Sequence, residues 1–183
     1  MSETVVLGVT GSIAAYKAAE LVRLMRGRGW DVFVVMTRAA REFVGEATFR
    51  TLSRNPVACE LFAETEAWRP EHIALADRAG ALVVAPCTAN VIAKLAHGIA
   101  DDLLTCVALA CRAPLVVAPA MNEKMWDHPA TRENVRTLRE RGARVVDVAA
   151  GELACGYEGR GRLASLDDIL AAIDTALSER KAR

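Results

Sequence analysis

The sequence predicts one α/β domain, a doubly wound parallel sheet with helices on both faces. Apolar, β-branched runs at 4–9, 31–36, 81–85, 115–118 and 144–148 have the length and composition of buried strands. Segments of helical period lie between them, and strands alternating with helices imply a parallel sheet covered on both sides. At 183 residues the chain fits a single domain with a full core, and it contains no internal repeat or low-complexity linker. The expected architecture is a Rossmann-like, three-layered domain over residues 1–183.

The first run, 4–9, empties into the turn Thr10-Gly11-Ser12, after which helical period runs over 13–28 and stops at Gly29. With the strand at 31–36 this makes a βαβ unit of ordinary length. A less regular region follows, with helices expected near 41–44 and 47–54 and a weak edge strand at 57–61. Residues 65–71, with Trp68 and Pro70, read as a loop, and 72–78 as a short helix. The strand at 81–85 is expected to end at Pro86, and helices at 89–97 and 101–111 to break at Gly98. After the strand at 115–118 a loop leads to a helix over 130–141, capped by Gly142, and then to the strand at 144–148. Residues 151–163 are glycine-rich and read as irregular. Ser165 and Asp168 have capping-box spacing, which opens a last helix to about 179.

Composition excludes several classes of function. Lysine plus arginine (23) equals aspartate plus glutamate (23), so no basic footprint points to nucleic acid or an anionic membrane surface. No apolar stretch approaches the length that crosses a bilayer, and Met1-Ser2-Glu3-Thr4 leads into a strand rather than a signal peptide. Five cysteines at 59, 87, 106, 111 and 155 lack CxxC spacing, which argues against a disulfide framework or a zinc site and for a reducing, cytoplasmic setting. Cys59, Cys106 and Cys111 are expected as small buried residues, and Cys87 and Cys155 in loops.

With the strand order 3-2-1-4-5, the topological switch falls between the first strand and the one at 81–85. The loops leaving those strands are Thr10-Gly11-Ser12-Ile13 and Pro86-Cys87-Thr88-Ala89-Asn90. Both are small and polar and open helices, so their N–H groups suit a phosphate, although Ser12, Thr88 and Asn90 also suit plain helix capping. The first loop is not GxGxxG, and Thr37-Arg38 stands where an acidic residue would hold an adenosine ribose. That weakens NAD and leaves a mononucleotide such as flavin mononucleotide (FMN) the better fit.

Two later motifs stand out. Pro119-Ala120-Met121-Asn122-Glu123-Lys124-Met125-Trp126 follows a buried strand, and its asparagine sits among apolar neighbours where the amide needs partners. Leu153-Ala154-Cys155-Gly156-Tyr157-Glu158-Gly159-Arg160-Gly161-Arg162 reads as a mobile loop with an anion-binding edge, or more plainly as a surface hairpin. Together with Gly11-Ser12-Ile13-Ala14-Ala15-Tyr16-Lys17, His72-Ile73-Ala74-Leu75 and Pro86-Cys87-Thr88-Ala89-Asn90, these stretches resemble the homo-oligomeric flavin-containing cysteine decarboxylases over nearly the whole chain. The sequence departs from the family pattern at Cys87, where alanine or leucine is common, and at Leu163, where methionine is frequent.

The resemblance implies a flavodoxin-like flavoprotein fold, FMN as cofactor, no metal, and a homotrimer or homododecamer. It implies a carboxy-lyase reaction: oxidation of a cysteinyl CH2–SH carbon to a thioaldehyde, loss of CO2, and return of the hydride to the enethiol. The clamp at about 151–163 points to the coenzyme A branch, in which 4'-phosphopantothenoylcysteine becomes 4'-phosphopantetheine. A separate phosphopantothenoylcysteine synthetase is then a possible partner. The implied catalytic residues are His72 as base or proton relay, Asn122 as carboxylate holder, and Cys155 as proton donor to the enethiol. FMN contacts fall on Gly11, Ser12, Ile13, Thr37, Pro86, Cys87, Thr88, Ala89, Asn90, Ala120 and Met121. Substrate contacts fall on Asn122, Met125, Ala154, Cys155, Gly156, Arg160 and Arg162. His97 is expected to cap its helix, and the Met125-Trp126 pair to suit an interface. A peptidyl-cysteine decarboxylase shares His72 and Asn122 without needing the Cys155 clamp. A non-catalytic regulatory flavoprotein subunit is the alternative outside enzymes.

Overall fold

The computed structural model describes residues 2–62, 69–152, 156 and 158–181. Its central sheet has six parallel strands: β1 (Thr4–Val9), β2 (Asp31–Met36), β3 (Val57–Ala58), β4 (Ala81–Cys87), β5 (Leu115–Pro119) and β6 (Arg144–Val145), in the order β3-β2-β1-β4-β5-β6. The reversal between β1 and β4 is the expected switch point. Helices α1 (Ala15–Gly27), α2 (Glu46–Ser53), α3 (Glu71–Arg78), α4 (Ala89–His97), α5 (Leu103–Ala110), α6 (Glu123–Trp126), α7 (Pro129–Glu140) and α8 (Leu166–Lys181) cover it. β7 (Ala149–Glu152) and β8 (Glu158–Arg162) form a separate antiparallel ribbon.

Alternation along β1 assigns its side chains to two cores. Val5, Leu7 and Val9 face one side with α1, α2 and α8, whereas Val6 faces the other with α3, α4, α5 and α7. Helix α1 buries Ala15, Ala18, Leu21, Val22 and Met25, a stripe at helical spacing, and α8 buries Ile169, Leu170, Ile173 and Leu177 on the same side. Both Ile169 and Ile173 are fully buried, so truncating either to alanine costs about 2–5 kcal/mol. Ser165 opens α8 as expected: its Oγ accepts from Asp168 N–H at 3.1 Å.

Several elements differ from expectation. β4 continues through the cis Ala85–Pro86 bond to Cys87, with a register shift before Cys87 pairs with Pro119. Proline lacks a donor, and the shifted register is where the ladder does without one. The edge strands β3 and β6 are two residues each, shorter than their apolar runs, because each has a neighbour on one side only. The region after β2 opens with a 3-10 turn, Arg38–Glu42, capped by Thr37. Most of the loop expected at 65–71 lies outside the described residues, and Glu71 already belongs to α3. Instead of an irregular loop, residues 151–163 supply most of the β7–β8 ribbon.

Candidate functional site

Three loops leave the carboxyl edge of the sheet side by side, and they are stitched together by a residue that sequence reasoning named only as part of a turn. Thr10, fully buried at the end of β1, donates its hydroxyl to Pro86 C=O at 2.7 Å and accepts from Thr88 N–H at 3.1 Å. Ala120 N–H in turn donates to Cys87 C=O at 3.1 Å. The ends of β1, β4 and β5 are thereby held as one floor. The first loop lies against the 3-10 turn: a Cβ on Gly11 would overlap Ala39, whose backbone carbon stands 3.1 Å away.

Over this floor lies a cavity of about 640 Å³. One wall is Gly11, Ser12, Ile13 and Ala14 with Tyr16 and Lys17 of α1. Thr88, Ala120, Met121, Asn122 and Met125 form the base and second wall, and Glu152, Gly161, Arg162 and Leu163 of the ribbon the third. Ser12 Oγ accepts from Ala14 N–H at 3.3 Å within the turn before α1, and Thr88 Oγ1 accepts from Val91 N–H at 3.4 Å as the N-cap of α4. Both residues also line the cavity. Among the described residues, the N–H groups of Gly11 and Ile13 have no protein acceptor, and they precede the N-terminus of the 13-residue α1. Unpaired N–H groups at a helix start suit a phosphate, and Ile13, Ala120 and Met121 supply apolar surface for a planar ring.

Asn122 is the N-cap of α6, its Oδ1 accepting from Lys124 N–H at 2.9 Å, which fixes the amide at the cavity wall. The ribbon docks on the same turn. Met121 N–H donates to Gly161 C=O at 2.9 Å, and Arg160 N–H to a Glu123 carboxylate oxygen at 3.2 Å. Gly161 is the extra residue of a bulge opposite Ala149 and Ala150, with φ of +131°, and a Cβ there would overlap Met121 C=O. The clamp glycines at 159 and 161 therefore serve close docking, where a mobile loop was expected.

Of the expected contacts, Gly11, Ser12, Ile13, Thr88, Ala120, Met121, Asn122, Met125 and Arg162 converge on the cavity. Thr37 is buried and caps the 3-10 turn, Pro86 is buried beneath the floor, and Ala89 and Asn90 sit in α4. Cys87, expected in a loop, is fully buried at the end of β4 in the α4–α5 core, and burial pushes its thiol far above the ordinary range. Cys59, Cys106 and Cys111 are only half-buried, the reverse of the expected pattern. Gly156 and Arg160 are exposed and do not line the cavity. Ala154 and Cys155 lie outside the described residues.

His72 is half-buried in the first turn of α3. Gly80 N–H, just past the end of α3, donates to Thr4 C=O at the start of β1, so His72 lies at the carboxyl edge. It is on the α3–α5 side and does not line the cavity of its own chain. His97 does not cap α4, a task taken by Gly98. Its Nε2 instead pairs with Asn134 Oδ1 at 3.1 Å. His128 is the N-cap of α7, Nδ1 accepting from Ala130 N–H at 3.2 Å. Trp126 is buried in the core, so of the Met125-Trp126 pair only Met125 faces solvent. Tyr16 and Lys17 line the cavity but were not among the expected contacts. Tyr16, aromatic yet off the buried stripe of α1, was the available signal.

A switch-point cavity with unpaired N–H groups before a helix and an apolar base is where a doubly wound α/β protein takes its ligand. The family model described as Flavoprotein matches residues 1–178, and the chain belongs to that family. It is 42% identical over 179 residues to a probable phosphopantothenoylcysteine decarboxylase of Streptococcus mutans, covering 97% of this chain and 100% of that protein. It is 44% identical over 178 residues to the coenzyme A biosynthesis bifunctional protein CoaBC of Bacillus subtilis, covering 97% of this chain but 44% of that one. A solved PPC decarboxylase with a cysteine-to-serine change, complexed with pantothenoylaminoethenethiol, superposes with a TM-score of 0.85 at 30% identity, covering 96% of this chain and 98% of that one. The FMN-dependent cysteine decarboxylase SpaF superposes with a TM-score of 0.83 at 35% identity, covering 98% and 97%.

Proposed function

We propose that this protein is an FMN-dependent carboxy-lyase that converts 4'-phosphopantothenoylcysteine to 4'-phosphopantetheine in coenzyme A biosynthesis, in the cytoplasm. The observation that carries this reading is the convergence of the Gly11–Ile13 loop, the Asn122 turn and the Arg162 ribbon on one cavity. Its support from relatives is the full-length match to the Streptococcus protein.

When bound, FMN supplies the two-electron chemistry that makes the cysteinyl CH2–SH carbon an electron sink for decarboxylation. The Gly11 and Ile13 N–H groups would hold its phosphate, and Ile13, Ala120 and Met121 would supply the apolar surface for its ring. Asn122, fixed through Oδ1, orients the substrate carboxylate so that the breaking C–C bond is aligned before reaction. Arg162 holds an anionic end of the substrate from the ribbon. Cys155 donates a proton to the enethiol, and His72 moves a proton during oxidation.

His72 does not reach the cavity of its own chain, and Ile13 (57% exposed), Tyr16 (61%) and Met125 (49%) leave apolar surface around the mouth. A trimer, alone or built into a dodecamer, accounts for both if a neighbouring copy covers this surface and brings its own His72. A Cys155→Ser protein tests the reading: it should release CO2 normally but accumulate the oxidised enethiol, identified by mass. Normal 4'-phosphopantetheine formation by that variant refutes the proton-donor role, and a purified protein without FMN refutes the cofactor.

A further inference from the structure

We infer that Glu123 is a positioning residue whose carboxylate seats the clamp ribbon on the asparagine turn. The inference rests on the activity proposed above for its kinetic arm only. Asn122 and Arg162 approach the cavity from elements far apart in sequence, and their relative placement depends on how β8 meets the 121–123 turn. Two hydrogen bonds make that joint. One runs between backbones, from Met121 N–H to Gly161 C=O, and exists for any sequence with glycine at 161. The other depends on a side chain, because Arg160 N–H donates to Glu123 Oε1 at 3.2 Å.

The surroundings of Glu123 show that the fit is built on both sides. Gly159 brings β8 so close that an added Cβ would stand 2.8 Å from Glu123 Oε2. Arg160 N–H lies on an exposed ribbon, and its acceptor is the carboxylate of Glu123, a half-buried residue. Glu123 is the first residue of the one-turn α6, and from there its carboxylate reaches across to β8. A charged acceptor also makes the stronger kind of amide hydrogen bond. Asn122, capping the same helix, is held by the adjacent peptide, so the ribbon and the carboxylate holder share one rigid turn. Arg162 then extends from the seated ribbon, its guanidinium crossing Gly151 on β7.

The experiment compares flavin-loaded wild type with Glu123→Ala, Glu123→Asp and Glu123→Gln. The readouts are hydrogen exchange over 158–162 without substrate, the flavin absorption spectrum, and kcat and KM for decarboxylation. Alanine and the shorter aspartate should speed exchange at the Arg160 amide about tenfold or more, the effect expected of a lost charge-assisted hydrogen bond. KM should rise by about as much and kcat fall far less, with an unchanged flavin spectrum, because binding geometry and not the cofactor is disturbed. Glutamine keeps the acceptor oxygen and should stay close to wild type in exchange and KM. Unchanged exchange in the alanine variant overturns the inference, as does glutamine behaving like alanine or flavin loss accompanying the change. If the wild type itself fails to decarboxylate the substrate, the proposed activity falls and the exchange result alone decides the joint. Should Glu123→Ala not fold, Gly159→Ala displaces the carboxylate from the other side and must give the same exchange and KM changes.

Discussion

The Thr10 hydroxyl donates to Pro86 C=O at 2.7 Å, joining the two neighbouring parallel strands between which the strand order reverses. The same oxygen accepts from Thr88 N–H, so one buried side chain satisfies both ends of the β4–α4 connection. A Thr10→Val protein keeps the shape and loses both bonds, leaving a buried carbonyl and amide unpaired at a cost of about 2–4 kcal/mol. Thr10→Ser keeps both partners and should lose about 1 kcal/mol from the missing methyl. Denaturant unfolding of the two variants, with FMN retention measured alongside, checks the difference.

The ribbon glycines should differ in how they respond to a methyl group. At 159 the obstacle is the flexible end of Glu123, which can swing aside, whereas at 161 it is the Met121 carbonyl on a backbone with φ of +131°. Gly161→Ala should therefore abolish clamp docking and most turnover, and Gly159→Ala should raise KM while leaving turnover measurable. Steady-state kinetics on both variants gives the ranking, and equal effects would contradict it.

One half-buried and one fully buried cysteine give the stability an alkaline limit. Burial pushes the Cys59 thiol up to about 12, helped by the nearby Glu46 carboxylate, and raises Cys87 by burial alone. An unfolded chain loses these protons near the ordinary thiol value while the folded chain keeps them. Stability should thus be complete below that value and fall as pH climbs from about 9 towards 12. Replacing Cys87 by alanine should flatten the fall, measured by unfolding at a series of pH values. Cys87 should also be the slowest of Cys59, Cys87, Cys106 and Cys111 to react with a thiol reagent.

The position of His72 predicts complementation between subunits. His72→Asn and Asn122→Ala proteins should each be inactive alone. If each cavity uses a neighbour's histidine, mixed oligomers from equal co-expression should recover about a quarter of the sites, since each site then combines groups from two chains. No recovery in verified mixed oligomers would place the histidine's action within its own chain.

Much of this was legible in the sequence because buried parallel strands leave continuous apolar runs, and β1, β2 and β5 fall on theirs within a residue. The switch-point loops and the Asn122 turn followed from that order. Edge strands were overestimated, since an apolar run does not reveal whether a partner lies alongside. Proline at 86 hid the end of β4, and with it the burial of Cys87. Glycines at 159 and 161 looked like freedom, whereas their reason is what stands opposite them, Glu123 and the Met121 carbonyl. Contacts between distant segments, such as Thr10 with Pro86 or Arg160 with Glu123, leave no local pattern to read.

The most direct test is to give the purified, flavin-loaded protein 4'-phosphopantothenoylcysteine and quantify CO2 and 4'-phosphopantetheine together, with a cysteine-terminated peptide as comparison. Equal amounts of the two products from the small substrate, with no net change in flavin oxidation state and no CO2 from the peptide, are expected. A yellow protein that releases no CO2 from 4'-phosphopantothenoylcysteine, or releases it only from the peptide, would contradict the proposed function.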